Sequence, residues 1–251
     1  MSRQLRAIVF GAGALGLAAL LIWGFAGLPS FGDFHGRYGE LLARVAVPER
    51  KASEVVASTT FDYRGFDTLV EEFILFSAAV GVLVLLRIQR ADEEVAAEPT
   101  TARRPTADSK TLRSVATALA GPVLTLGIYI VVHGHLTPGG GFQGGVILMT
   151  ALLLVYVAGS HLELGRARPI SAMEVSEATG AAGFALIGLG GTVLAGSYLE
   201  NFISTGTFGS LLSGGDIPLL NIAVGLEVMG AVLAILGELL DQRLLARREH
   251  G

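Results

Sequence analysis

His133-Gly134-His135-Leu136-Thr137-Pro138-Gly139-Gly140-Gly141-Phe142-Gln143-Gly144-Gly145 joins two long apolar runs. Proline fixes φ and removes a backbone donor. Successive glycines permit positive φ and leave no side chain in the way of a near neighbour. Such punctuation between hydrophobic segments predicts a tight bend between two membrane helices. Pro138, Gly139, Gly140, Gly141, Gly144 and Gly145 are expected to press that bend against another backbone.

Composition says what surrounds the bend. Hydrophobic residues make up 51% of the 251 and charged ones 16%, so most of the chain needs an apolar solvent. With no cysteine, disulfides, thiol nucleophiles and iron–sulfur ligation are excluded. A net charge of −4 carries no nucleic-acid signal. Arg3 and Arg6 precede an apolar run, as in a secretory signal. Yet residues 7–32 are uncharged and no small-residue cleavage site ends them, so a retained first helix is expected over residues 5–28.

That helix contains Gly11-Ala12-Gly13-Ala14-Leu15-Gly16, a formal GxGxxG, with Asp33 downstream. A dinucleotide site needs a strand, a turn and an amphipathic helix there. The residues that follow are apolar all round, through Trp23 and Phe25, which favours a small-residue face for helix packing. Residues 30–66 are mixed in charge and read as an extramembrane loop with a short amphipathic helix. A second span follows over residues 68–88. Its uncharged core, 73–86, covers only ~21 Å at the helical rise, against roughly 30 Å of hydrocarbon. Glu71 and Glu72 therefore belong at or just inside the membrane boundary.

Residues 90–110 lose all periodicity in an Ala/Pro/Thr/Arg stretch and read as a disordered linker. It divides a two-helix part, 1–89, from a four-helix part, 111–251. The four later helices are expected over 111–132, 141–159, 175–198 and 217–240. The fifth carries Gly180, Gly183, Gly188, Gly190, Gly191 and Gly196, a composition that suits close backbone packing. The fold class is all-α, a polytopic integral membrane protein of about six transmembrane helices. Lys and Arg set its orientation. Placing the N-terminus inside leaves only Arg37, Arg44, Arg50, Lys51 and Arg64 outside. Both termini are then cytoplasmic and the bend faces out.

Few residues in such a chain can carry chemistry. Glu227 stands in the middle of the uncharged stretch 217–237. A carboxyl at mid-membrane is costly unless paired, hydrated or protonated, and marks an ion or proton pathway by default. The bland alternative is a neutral acid bonded to a neighbouring helix. His133 and His135 are too few for a metal site, with no cysteine and no nearby acid. They relay protons at the end of a helix, or they anchor the bend; both readings stay open. Gly-Gly-Gly-Phe-Gln-Gly-Gly lacks the lysine and strand–helix context of a phosphate cradle. Glu174 and Glu177 open the fifth helix, where capping outweighs a proton entry. No nucleophile–base pair, metal set or cofactor motif emerges, so the chain does not read as an enzyme.

The string HGHLTPGGGFQGG resembles the signature of the B-type subunit of the Mrp-type multisubunit Na+/H+ antiporters, which is also present in the membrane arm of membrane-bound hydrogenases. The resemblance covers residues 110–242. It extends to Pro218-Leu219-Leu220-Asn221-Ile222-Ala223-Val224-Gly225-Leu226-Glu227-Val228, which resembles the last helix of the same family. A second element, Phe61-Asp62-Tyr63-Arg64-Gly65-Phe66-Asp67-Thr68-Leu69-Val70-Glu71, is similar to the small E-type hydrogenase subunit, which is fused in many antiporters to the C-terminal end of the large A-type subunit. Val70 replaces that family's usual glycine and Glu72 adds a carboxylate; by register the family glutamate is Glu71. The resemblance implies a membrane subunit of a cation/proton antiporter in the cell (inner) membrane, with no cofactor. Its partners would be the large antiporter-like subunits and small companion subunits, and its ions Na+ and H+. Glu227, Glu71, Glu72, Asp67, His133, His135 and Glu177 are the candidates for the ion pathway. A hydrogenase-type membrane arm and a purely structural sealing subunit are the rivals.

Overall fold

The computed structural model describes residues 3–28, 30, 36–94, 110–158 and 170–249. They are helical almost throughout. The helices are α1 (Arg3–Ala26), α2 (Arg37–Arg50), α3 (Val55–Ser58), α4 (Gly65–Glu94), α5 (Lys110–Val132), α6 (Gly141–Ala158), α7 (Ile170–Leu194) and α8 (Ile217–Glu249), with a π-helical turn, Thr59–Tyr63, between α3 and α4. Two compact units divide at residues 41 and 42, within α2. Among the described residues five helices are long and apolar enough to cross a membrane: α1, α4, α5, α7 and α8. The sixth apolar helix, α6, is shorter; its 18 residues span ~27 Å. The fold is polytopic and all-α, as composition requires.

In the unit 42–251, α8 is the axis. It packs against α4, α6 and α7, while α5 pairs with α6. Its buried Leu220, Ala223, Val224 and Val228 meet Phe184 of α7 and Phe61 of the π turn, whose rings stand 6.2 Å apart. A smaller cluster joins Met149 of α6, Met173 of α7 and Leu233 of α8.

Several boundaries move. α4 begins at Gly65 and runs through Glu94, so helix takes the first residues assigned to the linker. The remainder of that linker, 95–109, lies outside the described residues, as does Asp33. α7 starts at Ile170 rather than 175. Pro169 precedes it in sequence, a residue compatible with a helix start, and Met173 already packs into the core. Glu174 and Glu177 therefore lie inside α7 and do not open it. α7 ends at Leu194, where Gly196 takes φ 105° and its N–H returns to Gly191 O. The chain then folds back on its own glycine face: a Cβ on Gly188 would meet the Tyr198 ring, and one on Gly190 the Phe202 ring.

Candidate functional site

The bend is held from α8. Gly139 and Gly140 take φ of 139° and 141°, a region that side chains rarely adopt. The N–H of Gly141, at the start of α6, donates to Asn221 Oδ1 at 2.8 Å, and Asn221 Nδ2 donates to Ile217 O. Asn221 is fully buried and so satisfies one of the orphan donors of a helix start. The bend also leaves no room. A Cβ on Gly141 would strike Asn221 O and stand 2.7 Å from Val224 Cβ, and one on Gly145 would stand 2.8 Å from Gly225 O. The sequence carried a signal for Asn221, an amide within an apolar helix, but did not disclose its role.

The two histidines belong to the bend. His133 Nδ1 donates to Tyr129 O at 3.2 Å, and its ring stacks on Tyr129 at 4.3 Å. His135 is fully buried beside the backbone of Ser210 and Leu211, and burial lowers its pKa. Its carbonyl accepts from Glu54 N–H, tying the bend to the loop before α3. Neither histidine joins the acids deeper in the bundle. Among the described residues no group of three His, Asp or Glu could hold a metal ion.

Those acids converge at Glu227. Glu72 of α4, Glu177 of α7 and Glu227 of α8 are 4%, 2% and 0% exposed. The charged neighbours of Glu227 are Glu72 first and Glu177 second. Glu72 and Glu227 face each other closely enough to interact directly, although neither Glu227 oxygen meets strict hydrogen-bond geometry with any group. One oxygen each of Glu72 and Glu177 is likewise unpartnered. Glycine makes the approach possible. A Cβ on Gly180 would stand 2.5 Å from Glu227 N, and one on Gly230 2.7 Å from Glu177 N. Ser176 Oγ donates to Leu226 O at 2.9 Å across the same crossing.

Glu71 and Asp67 lie apart from this convergence. Glu71 is exposed, so burial falls on its neighbour, Glu72. Asp67 is exposed and ion-paired with Arg64. A 250 Å3 cavity under the bend is lined by Thr60, Thr68, Glu71, Glu72, Gly139, Gly140 and Gln143 among others.

A second polar network was not foreseen. Asp62 of the π turn pairs with Arg50 at 2.7 Å and lies 3.4 Å from Asn201 Nδ2. Asn201 Oδ1 accepts from Asp216 N–H at 3.2 Å, just before α8. Burial raises the pKa of Asp62, with Arg50 and Asn201 opposing. Burial and then the Asp62 charge push Asp216 up to about 6.

Residues 111–234 match the family described as a domain related to the MnhB subunit of Na+/H+ antiporter. An uncharacterised protein of Methanocaldococcus jannaschii is 32% identical over 195 residues, 70% of this chain and 73% of that protein. A Staphylococcus aureus protein named as antiporter subunit mnhB2 is 39% identical over 59 residues, 24% of this chain and 42% of that protein. The membrane-bound sulfane sulfur reductase, an archaeal respiratory membrane complex, contains a chain that superposes with a TM-score of 0.68 at 30% identity, covering 94% of this chain and 98% of its own. The Mrp complex of Dietzia sp. contains a chain that superposes with a TM-score of 0.64 at 26% identity, covering 95% of this chain and 26% of that one. Alignments of that extent take in residues before 111 as well as residues 111–234. This chain belongs to the family of membrane proteins related to the MnhB antiporter subunit.

Proposed function

We propose that this chain is a membrane subunit of a multisubunit monovalent cation/proton antiporter, with Na+ as the cation. In this reading it works in the cell membrane beside large antiporter-like subunits and small companion subunits. Both termini face the cytoplasm and the glycine bend faces out. Residues 1–89 form an E-type module joined to a B-type domain. The observation that carries the reading is the convergence of Glu72, Glu177 and Glu227, three buried carboxyls from three helices with unpartnered oxygens. A transporter exploits what a stable core avoids: an unpaired acid in a bilayer needs a proton, a cation or water. Two carboxyls that face each other hold one proton between them more readily than two charges. Glu227 is the step between the bend-side cavity at Glu72 and Glu177 on α7. Glu238, buried three turns further along α8, continues the line.

Glu227→Gln keeps size and hydrogen bonding and removes the charge. The complex should assemble, while Na+-dependent collapse of a pH gradient in membrane vesicles falls by about a hundred-fold, the lower end for a positioned proton carrier. Glu227→Asp should retain part of the rate. A Gln variant equal to the parent across pH, at matched levels of complex, would make Glu227 a structural acid and sink the reading.

A second reading has one observation in its favour. The sulfane sulfur reductase neighbour is a respiratory complex, and this chain covers 98% of the matching chain. A redox subunit co-purifying with this protein would place it in a respiratory membrane arm instead.

A further inference from the structure

The cavity under the bend shares Glu72 with the proton path and has further features that the path does not use. Its most buried polar group is Glu72, 4% exposed, whose Oε2 has no hydrogen-bond partner. Thr60 and Thr68 line the same space. Thr60 Oγ1 donates to Val56 O at 2.9 Å, and Thr68 Oγ1 donates to Thr60 O at 2.6 Å. With both hydroxyl protons committed, each hydroxyl offers the cavity only oxygen lone pairs. Gln143 adds an amide oxygen, and Glu71 stands exposed as a second carboxyl of the lining. Hard cations take such oxygen ligands. One buried carboxylate matches one positive charge. The volume, 250 Å3, leaves room for several waters at ~30 Å3 each.

We propose that the cavity between the glycine bend and α4 binds one partly hydrated monovalent cation, with Glu72 as its anionic ligand and Thr60, Thr68 and Gln143 as neutral ones. The site deepens the antiporter reading and rests on it. A cation on Glu72 leaves the proton that the two carboxyls share to Glu227 alone. Glu71 lies on the cation's side of this exchange, and Glu177 on the proton's side.

The test is chemical protection of Glu72 in the assembled complex. A hydrophobic carbodiimide modifies protonated buried carboxyls, and peptide mass spectrometry reads the modified residue. NaCl should slow labelling of Glu72 by about ten-fold relative to choline chloride at equal ionic strength. Thr68→Val should raise the half-protecting Na+ concentration by about ten-fold, and Thr68→Ser should restore it. Thr60→Val, whose hydroxyl bonds only within its own turn, should shift it in the same direction. The proposal fails if choline protects as well as Na+, if both valine variants keep the parental Na+ dependence, or if Glu72 resists labelling in choline. Its failure is separable from that of the antiporter reading. Loss of Na+ protection can coexist with a flux that depends on Glu227, and Na+ protection can persist where Glu227→Gln changes no flux.

Discussion

Asp216 shows how one buried acid ties the mouth of α8 to pH. It sits just before α8, where its carbonyl accepts from Leu219 and Leu220 N–H. Its carboxyl is 3% exposed and pushed up to about 6 by burial and by Asp62. The folded state therefore holds the proton more tightly than the unfolded chain, whose carboxyl titrates at 3.8. The stability this contributes is complete at or below about pH 4 and is lost as pH rises through about 6. Over that window the loss is at most about 3 kcal/mol. Asp216→Asn carries no such titration. Its apparent melting temperature in detergent, set against the parent's, should rise from about pH 4 to about pH 7 and then level off. A constant difference across pH would remove Asp216 from the account. Nothing in the sequence marked this network. Asn201 reaches back 139 residues to Asp62, and no local pattern records a contact of that span. Glu227 was legible because a charge inside an apolar span is conspicuous wherever it packs. The choice between Glu71 and Glu72 was not, since neighbours on a helix point about 100° apart and only the position of α8 says which one is buried.

The crossing of α7 and α8 is where an element, more than a residue, sets the site. Gly180 and Gly183 lie one turn apart on α7, yet they face different neighbours. A Cβ on Gly180 would stand 2.5 Å from both Ala223 O and Glu227 N, whereas one on Gly183 would make an ordinary 3.7 Å contact with Ala223 Cβ. Gly180→Ala must push the helices apart, at a cost typical of overpacking, about 1–3 kcal/mol. Gly183→Ala gains helix propensity of about 1 kcal/mol against Gly and meets no backbone. The two variants should therefore move the melting temperature of the complex in opposite directions, and only Gly180→Ala should depress cation-dependent proton flux. Equal behaviour would mean that the crossing is looser than its geometry. The glycines of α7 were visible in sequence as a signal of close packing, but the partner was not. Gly180 serves α8, and Gly188 and Gly190 are filled by Tyr198 and Phe202 of the same chain. A glycine states that something comes near; the topology decides what. The helices themselves were read with little error because long apolar runs have one solution in a bilayer. Their ends shifted where packing, as at Met173, or a continuing helix, as at α4, overrode the local pattern.

At the scale of the whole molecule the two units differ in what they need. The unit 42–251 has its own core, in which Phe61, Phe184, Leu220 and Val228 are buried together. In the unit 1–41, α1 keeps its apolar side chains exposed, Trp23 by 79%, and a Cβ on Gly11, Gly13 or Gly16 would meet nothing within 4 Å. Lipid can cover the large side chains, since its tails are as apolar as leucine. It gains nothing from the glycines, which reward a second helix by letting backbones approach. The expectation is that other membrane subunits seat a helix on this stripe and that the chain is a stable species only in their company. Expressed alone, it should aggregate or degrade in mild detergent; co-expressed, it should purify as one complex. Gly13→Leu fills the stripe within the unit 1–41. It should reduce co-purification of partners by about ten-fold, equivalent to ~1.4 kcal/mol of association. Na+ protection of Glu72 in the complex that does form should stay unchanged. Two results would overturn this. One is a monodisperse monomer of the chain in mild detergent, and the other is undiminished partner recovery with Gly13→Leu, which would leave α1 to lipid.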